Sequence, residues 1–135
     1  MQFQTLFVYL CKNIVIKMQI DNIYIKQLRD NLSELNPYLV MLFGSYAYGT
    51  PHTDSDLDIF VVLNENTMPA TFKEKQALYL KVSPYTRSVA KQIPIDLIVH
   101  TIPMFEHFKE TKSNLSKEIL QKGIIIYESK HSAMA

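Results

Sequence analysis

The sequence predicts an α/β (α+β) domain, because apolar runs of strand length alternate with segments of helical period. Three runs carry that reading, at residues 39–43, 59–63 and 95–99, each bounded by turn-forming residues. A length of 135 residues suits one domain with a modest core. The composition is that of an ordinary globular chain, 47% hydrophobic and 20% charged. A formal net charge of +1 argues against a dedicated nucleic-acid binder, which carries a strong basic excess.

The first seventeen residues, MQFQTLFVYLCKNIVIK, form an extension of uncertain status. Their apolar part is broken by Cys11-Lys12-Asn13 and is too short to span a bilayer. A basic leader and a small-residue cleavage site are missing, so a secretory signal is not expected. The segment is either an extra element packed on the domain or a stretch upstream of a start at Met18. Cys11 is the single cysteine, so an internal disulfide is impossible and a reducing, cytoplasmic compartment is expected. It lacks a motif that would make it a catalytic thiol. The domain itself is assigned to residues 18–128, with 129–135 a disordered tail.

Asp21 is placed to cap a helix in which Ile25, Leu28, Leu32 and Leu35 share one face, and Asn36-Pro37 ends it. Residues 39–43 then form a buried strand. Ser45 sits where an N-cap would sit, residues 46–48 make one helical turn, and Gly49-Thr50-Pro51 breaks it. His52, Thr53, Asp54 and Ser55 form a loop into a second strand, expected from Asp56 to Leu63. Residues 64–69 read as loop and 70–82 as helix, interrupted by Ser83-Pro84. A second short helix is expected at 85–92 and a third strand at 95–99. Pro103 fits the first position of a helix running to Lys109. A helix at 115–122, with Gly123 as its C-terminal cap, leads to a last strand at 124–127.

The chemistry concentrates in LVMLFGSYAYGTPHTDSDLDIFVVL, residues 39–63. A strand-ending glycine lets a ligand approach the backbone, and free N–H groups with the Ser45 hydroxyl favour phosphate. Gly44 and Ser45 are therefore the candidate nucleotide-binding pair. In an extended strand Asp56 and Asp58 point to one face. Two carboxylates there repel unless a cation lies between them, and Mg²⁺ is the simplest cation for hard oxygen ligands. Asp96, on the third strand, completes the set if that strand lies beside the second. Asp56, Asp58 and Asp96 are thus the candidate catalytic and metal-binding residues. Such a set suits nucleotidyl transfer with two metal ions about 3.5–4 Å apart, with Asp96 as ligand of the second ion and as base. Gly44 and Gly49 have the Walker A glycine spacing, but Thr50-Pro51 stands where lysine should follow, which weakens an ATPase reading. His52, His100, His107 and His131 lack metal-ligand spacing. Tyr46 and Tyr48 read as packing residues. Lys73, Lys75, Lys81, Arg87 and Lys91 read as a solvated helix face unless they line the cleft.

Gly44-Ser45, ten intervening residues, Asp56-Leu57-Asp58 and a later strand bearing Asp96 resemble the DNA polymerase beta-like nucleotidyltransferase superfamily. LFGSYAYGTPHTDSDLDIFVV is similar to its small stand-alone members, the minimal nucleotidyltransferase (MNT) domain proteins. The resemblance implies a nucleotidyltransferase fold, a short mixed β-sheet flanked by helices. It implies Mg²⁺-dependent, ATP-binding transfer of a nucleoside monophosphate, AMP above all, from an NTP to a hydroxyl. It also implies a helical HEPN-type partner in a toxin–antitoxin system, with the nucleotidyltransferase modifying that partner. Tyr48 stands where many members carry an arginine that would reach the triphosphate. A complete acceptor site is expected to need a partner chain or a second copy, as in a homo-oligomer; neither a membrane nor nucleic acid is an expected partner. The alternative is a non-catalytic subunit that neutralises a helical partner by contact.

Overall fold

In the computed structural model residues 6, 9–10, 22–51 and 55–129 are described. The expectations for residues 1–17, Asp21, His52, Asp54 and the tail beyond 129 fall mostly or wholly outside that set.

Helix α1, Ile23–Ser33, buries Ile25, Leu28 and Leu32 on one stripe. Its cap is Asn22 rather than Asp21: the Asn22 side chain accepts from the Tyr24 backbone N–H at 2.9 Å. Strand β1, Leu39–Phe43, follows with all five residues buried. Helix α2, Ser45–Tyr48, is a single turn. Gly44 is its N-cap and Ser45 its first residue, one position earlier than the sequence suggests, because the backbone bends at Gly44 itself. Strand β2 is Leu57–Val62, so Asp56 lies just before the strand and is exposed.

Helix α3, Phe72–Val82, starts two residues later than expected, where Thr71 and Glu74 form a capping box. Expected as one helix, residues 85–92 hold instead the end of a 3-10 turn, Ser83–Thr86, and the short α4, Arg87–Ala90. Pro84 sits within the first two positions of that turn, where its missing N–H costs nothing. Strand β3 is Ile95–His100. Helix α5, Ile102–Thr111, is capped by Thr101, which places Pro103 second rather than first and carries the helix past Lys109. Helix α6, Asn114–Lys122, is capped by Ser113, and β4 is Ile124–Glu128. Gly123 ends α6, but in an extended conformation, φ −67° and ψ 155°, rather than the left-handed one. Space selects glycine there: a Cβ would press on the Ile119 carbonyl oxygen and come within 2.9 Å of Met41 Cε.

The four strands make one mixed sheet in the order β3-β2-β1-β4. Strand β1 is antiparallel to β2 and β4, and β2 is parallel to β3. Helices cover both faces. Ile25, Leu28, Leu32, Leu78, Val82 and Val89 pack on Val40, Leu42, Leu57, Ile59 and Val61. Phe105 and Ile119 pack on Leu39, Met41, Phe43, Phe60 and Val62 from the other side. Burial on both faces is why β1 and β2 read as unbroken apolar runs rather than as alternation. Among the described residues no helix is long and apolar enough to cross a membrane.

Candidate active site

Asp58 is the single residue of β2 that is not fully buried. It shares a face with Phe60 and Val62, the face covered by α5 and α6. Asp58 pairs in register with Asp96 of β3, so both carboxylates project side by side from the same face. On its other flank Asp58 pairs with Phe43, which delivers the chain into Gly44. Gly44 adopts φ 73° and ψ −161°, a region open to glycine almost alone. A Cβ there would overlap Asp58 Oδ2. One residue thus serves two needs, a left-handed bend and room for a carboxylate against the backbone. Gly44 and Ser45 are half-buried, so the bend is open to ligand.

Asp58 is held well above the usual carboxylate range, at about 6. Burial is the largest cause, followed by the negative charges of Asp96, Asp56 and Glu118 and a hydrogen bond with Asp96. A divalent cation would discharge that repulsion. The paired Asp58 and Asp96 carboxylates offer hard oxygens of the kind such an ion takes. Among the described residues no group of three acidic, histidine or cysteine side chains already stands close enough to hold a metal alone. Mg²⁺ commonly takes one or two carboxylates and completes its shell with substrate phosphates and water.

Helix α2 brings further groups. Its backbone closes on Gly44, with the Ala47 and Tyr48 N–H groups donating to the Gly44 carbonyl at 3.0 and 3.1 Å. The N–H groups of Ser45 and Tyr46, at the start of the turn, have no intrahelical partner by geometry. Tyr46 and Tyr48 pack against the core, as expected of them. The Tyr48 hydroxyl also donates to Glu118 Oε1 of α6 at 2.6 Å. Glu118 is the group sequence reading missed: it lies 70 residues from Tyr48, and no local motif marks it. Of the basic residues, Lys81 pairs with Glu65, and Lys75 lines a separate cavity of about 200 Å³ with Met68, His100, Met104, His107 and Phe108. That cavity lies at the end of β3 away from Asp96. His52 falls outside the described residues.

Comparison with known proteins identifies the family of the domain. A family model described as a nucleotidyltransferase domain matches residues 25–126. The protein adenylyltransferase MntA of Shewanella oneidensis is 52% identical over 42 residues, 31% of this chain and 29% of that protein. The match therefore spans less than a third of the curated relative. A crystal structure of a toxin–antitoxin with AMP-PNP aligns at 24% identity and a TM-score of 0.46, covering 82% of this chain and 74% of that one. A mutant of the toxin–antitoxin MntA–HpeT aligns at 21% and 0.44, covering 82% and 75%. Neither structural alignment is close enough to carry residue roles across.

Proposed function

The chain belongs to the nucleotidyltransferase domain family, and from that premise we propose that it is a Mg²⁺-dependent enzyme transferring AMP from ATP to a hydroxyl. One observation carries the reading: Asp58 and Asp96 stand side by side on one face, beside a half-buried glycine bend against which the Asp58 carboxylate packs. Gly44 and Ser45 receive the triphosphate through backbone N–H groups and the Ser45 hydroxyl. Asp56 and Asp58 hold the metal–nucleotide complex. Asp96 orients the acceptor hydroxyl and takes its proton. The acceptor oxygen bonds to the α-phosphorus, the bond to the β-phosphate oxygen breaks, and pyrophosphate leaves. Divalent ions held by Asp56, Asp58 and Asp96, two by the family resemblance, would neutralise the triphosphate and lower the pKa of the attacking hydroxyl.

The acceptor is a protein side chain, a reading supported by the relative described as a protein adenylyltransferase. The MNT-type motif supports a helical HEPN-type protein as that acceptor, with this chain as the antitoxin of the pair, working in the cytoplasm. Incubation with α-labelled ATP, Mg²⁺ and a candidate partner tests this. Label should pass to the partner and should vanish with the Asp56→Ala/Asp58→Ala variant. If that variant still silences the partner while transferring nothing, the chain acts by contact and the enzyme reading fails.

A further inference from the structure

Helix α2 is too short to hold itself, since one turn fixes several dihedrals for very few hydrogen bonds. It is flanked by Gly44 at φ 73° and Gly49 at φ 77°, so both joints are at the residue with the freest backbone. The turn nonetheless carries Ser45. Ala47 seats one side of it in the core. Tyr48 supplies the long-range tie. It lies three residues after Ser45, and its hydroxyl donates to Glu118 Oε1 at 2.6 Å across 70 residues of sequence. Lys122, one turn beyond Glu118, places its ammonium 5.5 Å over the Tyr48 ring. Glu118 is itself fixed, because the adjacent Ile119 is fully buried against the sheet.

We propose that Tyr48 and Glu118 are positioning residues for nucleotide binding, a clasp that ties the Gly44–Ser45 turn to α6 and holds it against the carboxylates. The proposal rests on the reading of that turn as the nucleotide cradle. A phenol-to-carboxylate bond is charge-assisted and stronger than a neutral one. Burial, then Glu118, pushes the Tyr48 hydroxyl up to about 12, so it remains a donor at physiological pH. The clasp also occupies Glu118, one of the carboxylates whose charge reaches Asp58. Glu118 therefore acts through Tyr48 rather than by touching substrate.

The test is calorimetric binding of a non-hydrolysable ATP analogue with Mg²⁺ to the full chain. Tyr48→Phe deletes one oxygen and should weaken binding about tenfold, the loss expected for one charge-assisted bond. Glu118→Ala should do the same, and the double variant should be no worse than either single one. Glu118→Gln keeps an acceptor oxygen and should recover most of the affinity lost in Glu118→Ala, a rescue that a merely structural packing role would not give. Melting curves of each variant separate weak binding from poor folding. If wild type binds and Asp58→Ala abolishes binding, yet Tyr48→Phe binds as wild type does, the clasp is overturned while the nucleotidyltransferase reading stands. Additive single variants would overturn it as well. If wild type binds no nucleotide, the reading of the site fails and the clasp falls with it.

Discussion

At the scale of single residues, two side chains on one sheet face respond to acid in opposite directions. Asp58 is raised from 3.8 to about 6, by burial first and neighbouring carboxylates second. Between those values the folded chain holds more protons than the unfolded one, so the metal-free protein loses stability as pH rises through the window. Asp58→Asn should remove that slope. At pH 7.5 it should raise the melting temperature of the metal-free chain by a few degrees, on the order of 1 kcal/mol after solvent screening. An unchanged slope would show that Asp58 is not the strained group. His100 behaves the other way. Its ring stands edge-on to Phe60 at 4.8 Å and to Phe108 at 5.3 Å, and its Nδ1 is buried with no hydrogen-bond partner among the described residues. Burial, with Lys75 adding, lowers it from 6.5 to about 4. The unfolded chain takes up that proton first, so this contribution is lost as pH falls from 6.5 towards 4. His100→Phe extends the aromatic cluster and removes the unpartnered nitrogen. Its gain in melting temperature over wild type should be larger at pH 5 than at pH 7.5; equal gains would assign the effect to packing alone.

At the scale of elements, what was legible followed from burial. Strands β1 and β2 are covered on both faces, so their apolar runs announced themselves, and α1 showed its buried stripe at Ile25, Leu28 and Leu32. Ends were less legible, because caps depend on which side chain reaches an N–H in space. Asn22 serves where Asp21 was expected, and Thr71 and Thr101 start helices that pattern alone put elsewhere. Gly123 is instructive, being in the expected place for an unexpected reason. The chain passes from α6 into β4 without a left-handed turn, so conformation alone would tolerate alanine. Contact would not, since the Ile119 carbonyl is backbone and cannot swing aside as Met41 Cε can. Gly123→Ala should therefore cost about 1–3 kcal/mol, the range for overpacking, read as a lower midpoint in urea at unchanged slope. A neutral result would show that the α6–β4 junction yields.

At the scale of the whole molecule, the candidate site draws on Gly44 and Ser45 after β1, Asp56 before β2, Asp58 in β2 and Asp96 in β3, with Glu118 of α6 approaching it. The motif spacing made the first part readable. The in-register meeting of Asp58 with Asp96 and the approach of Glu118 were not readable locally, because strand order and helix placement are settled by how both faces bury together. The same arrangement governs how ligand binding spreads. Strand β1 is central, with β2 on one side and β4 on the other, and the two core clusters sandwich it. A small domain packed this way unfolds as one unit, so a ligand bound at one end stabilises every element by the same amount. With Mg²⁺ and a non-hydrolysable ATP analogue at about a hundred times Kd, the gain should be about 2.7 kcal/mol, roughly 10 °C in melting temperature. Hydrogen exchange should then slow in β4 as much as in β2, although among the described residues the Ile124–Glu128 strand pairs only with β1 and holds none of the candidate site residues. Asp58→Ala should abolish both effects. Protection confined to residues 44–58 and the start of β3 would instead make the site a separately opening unit, with ligand energy failing to reach the far edge of the sheet.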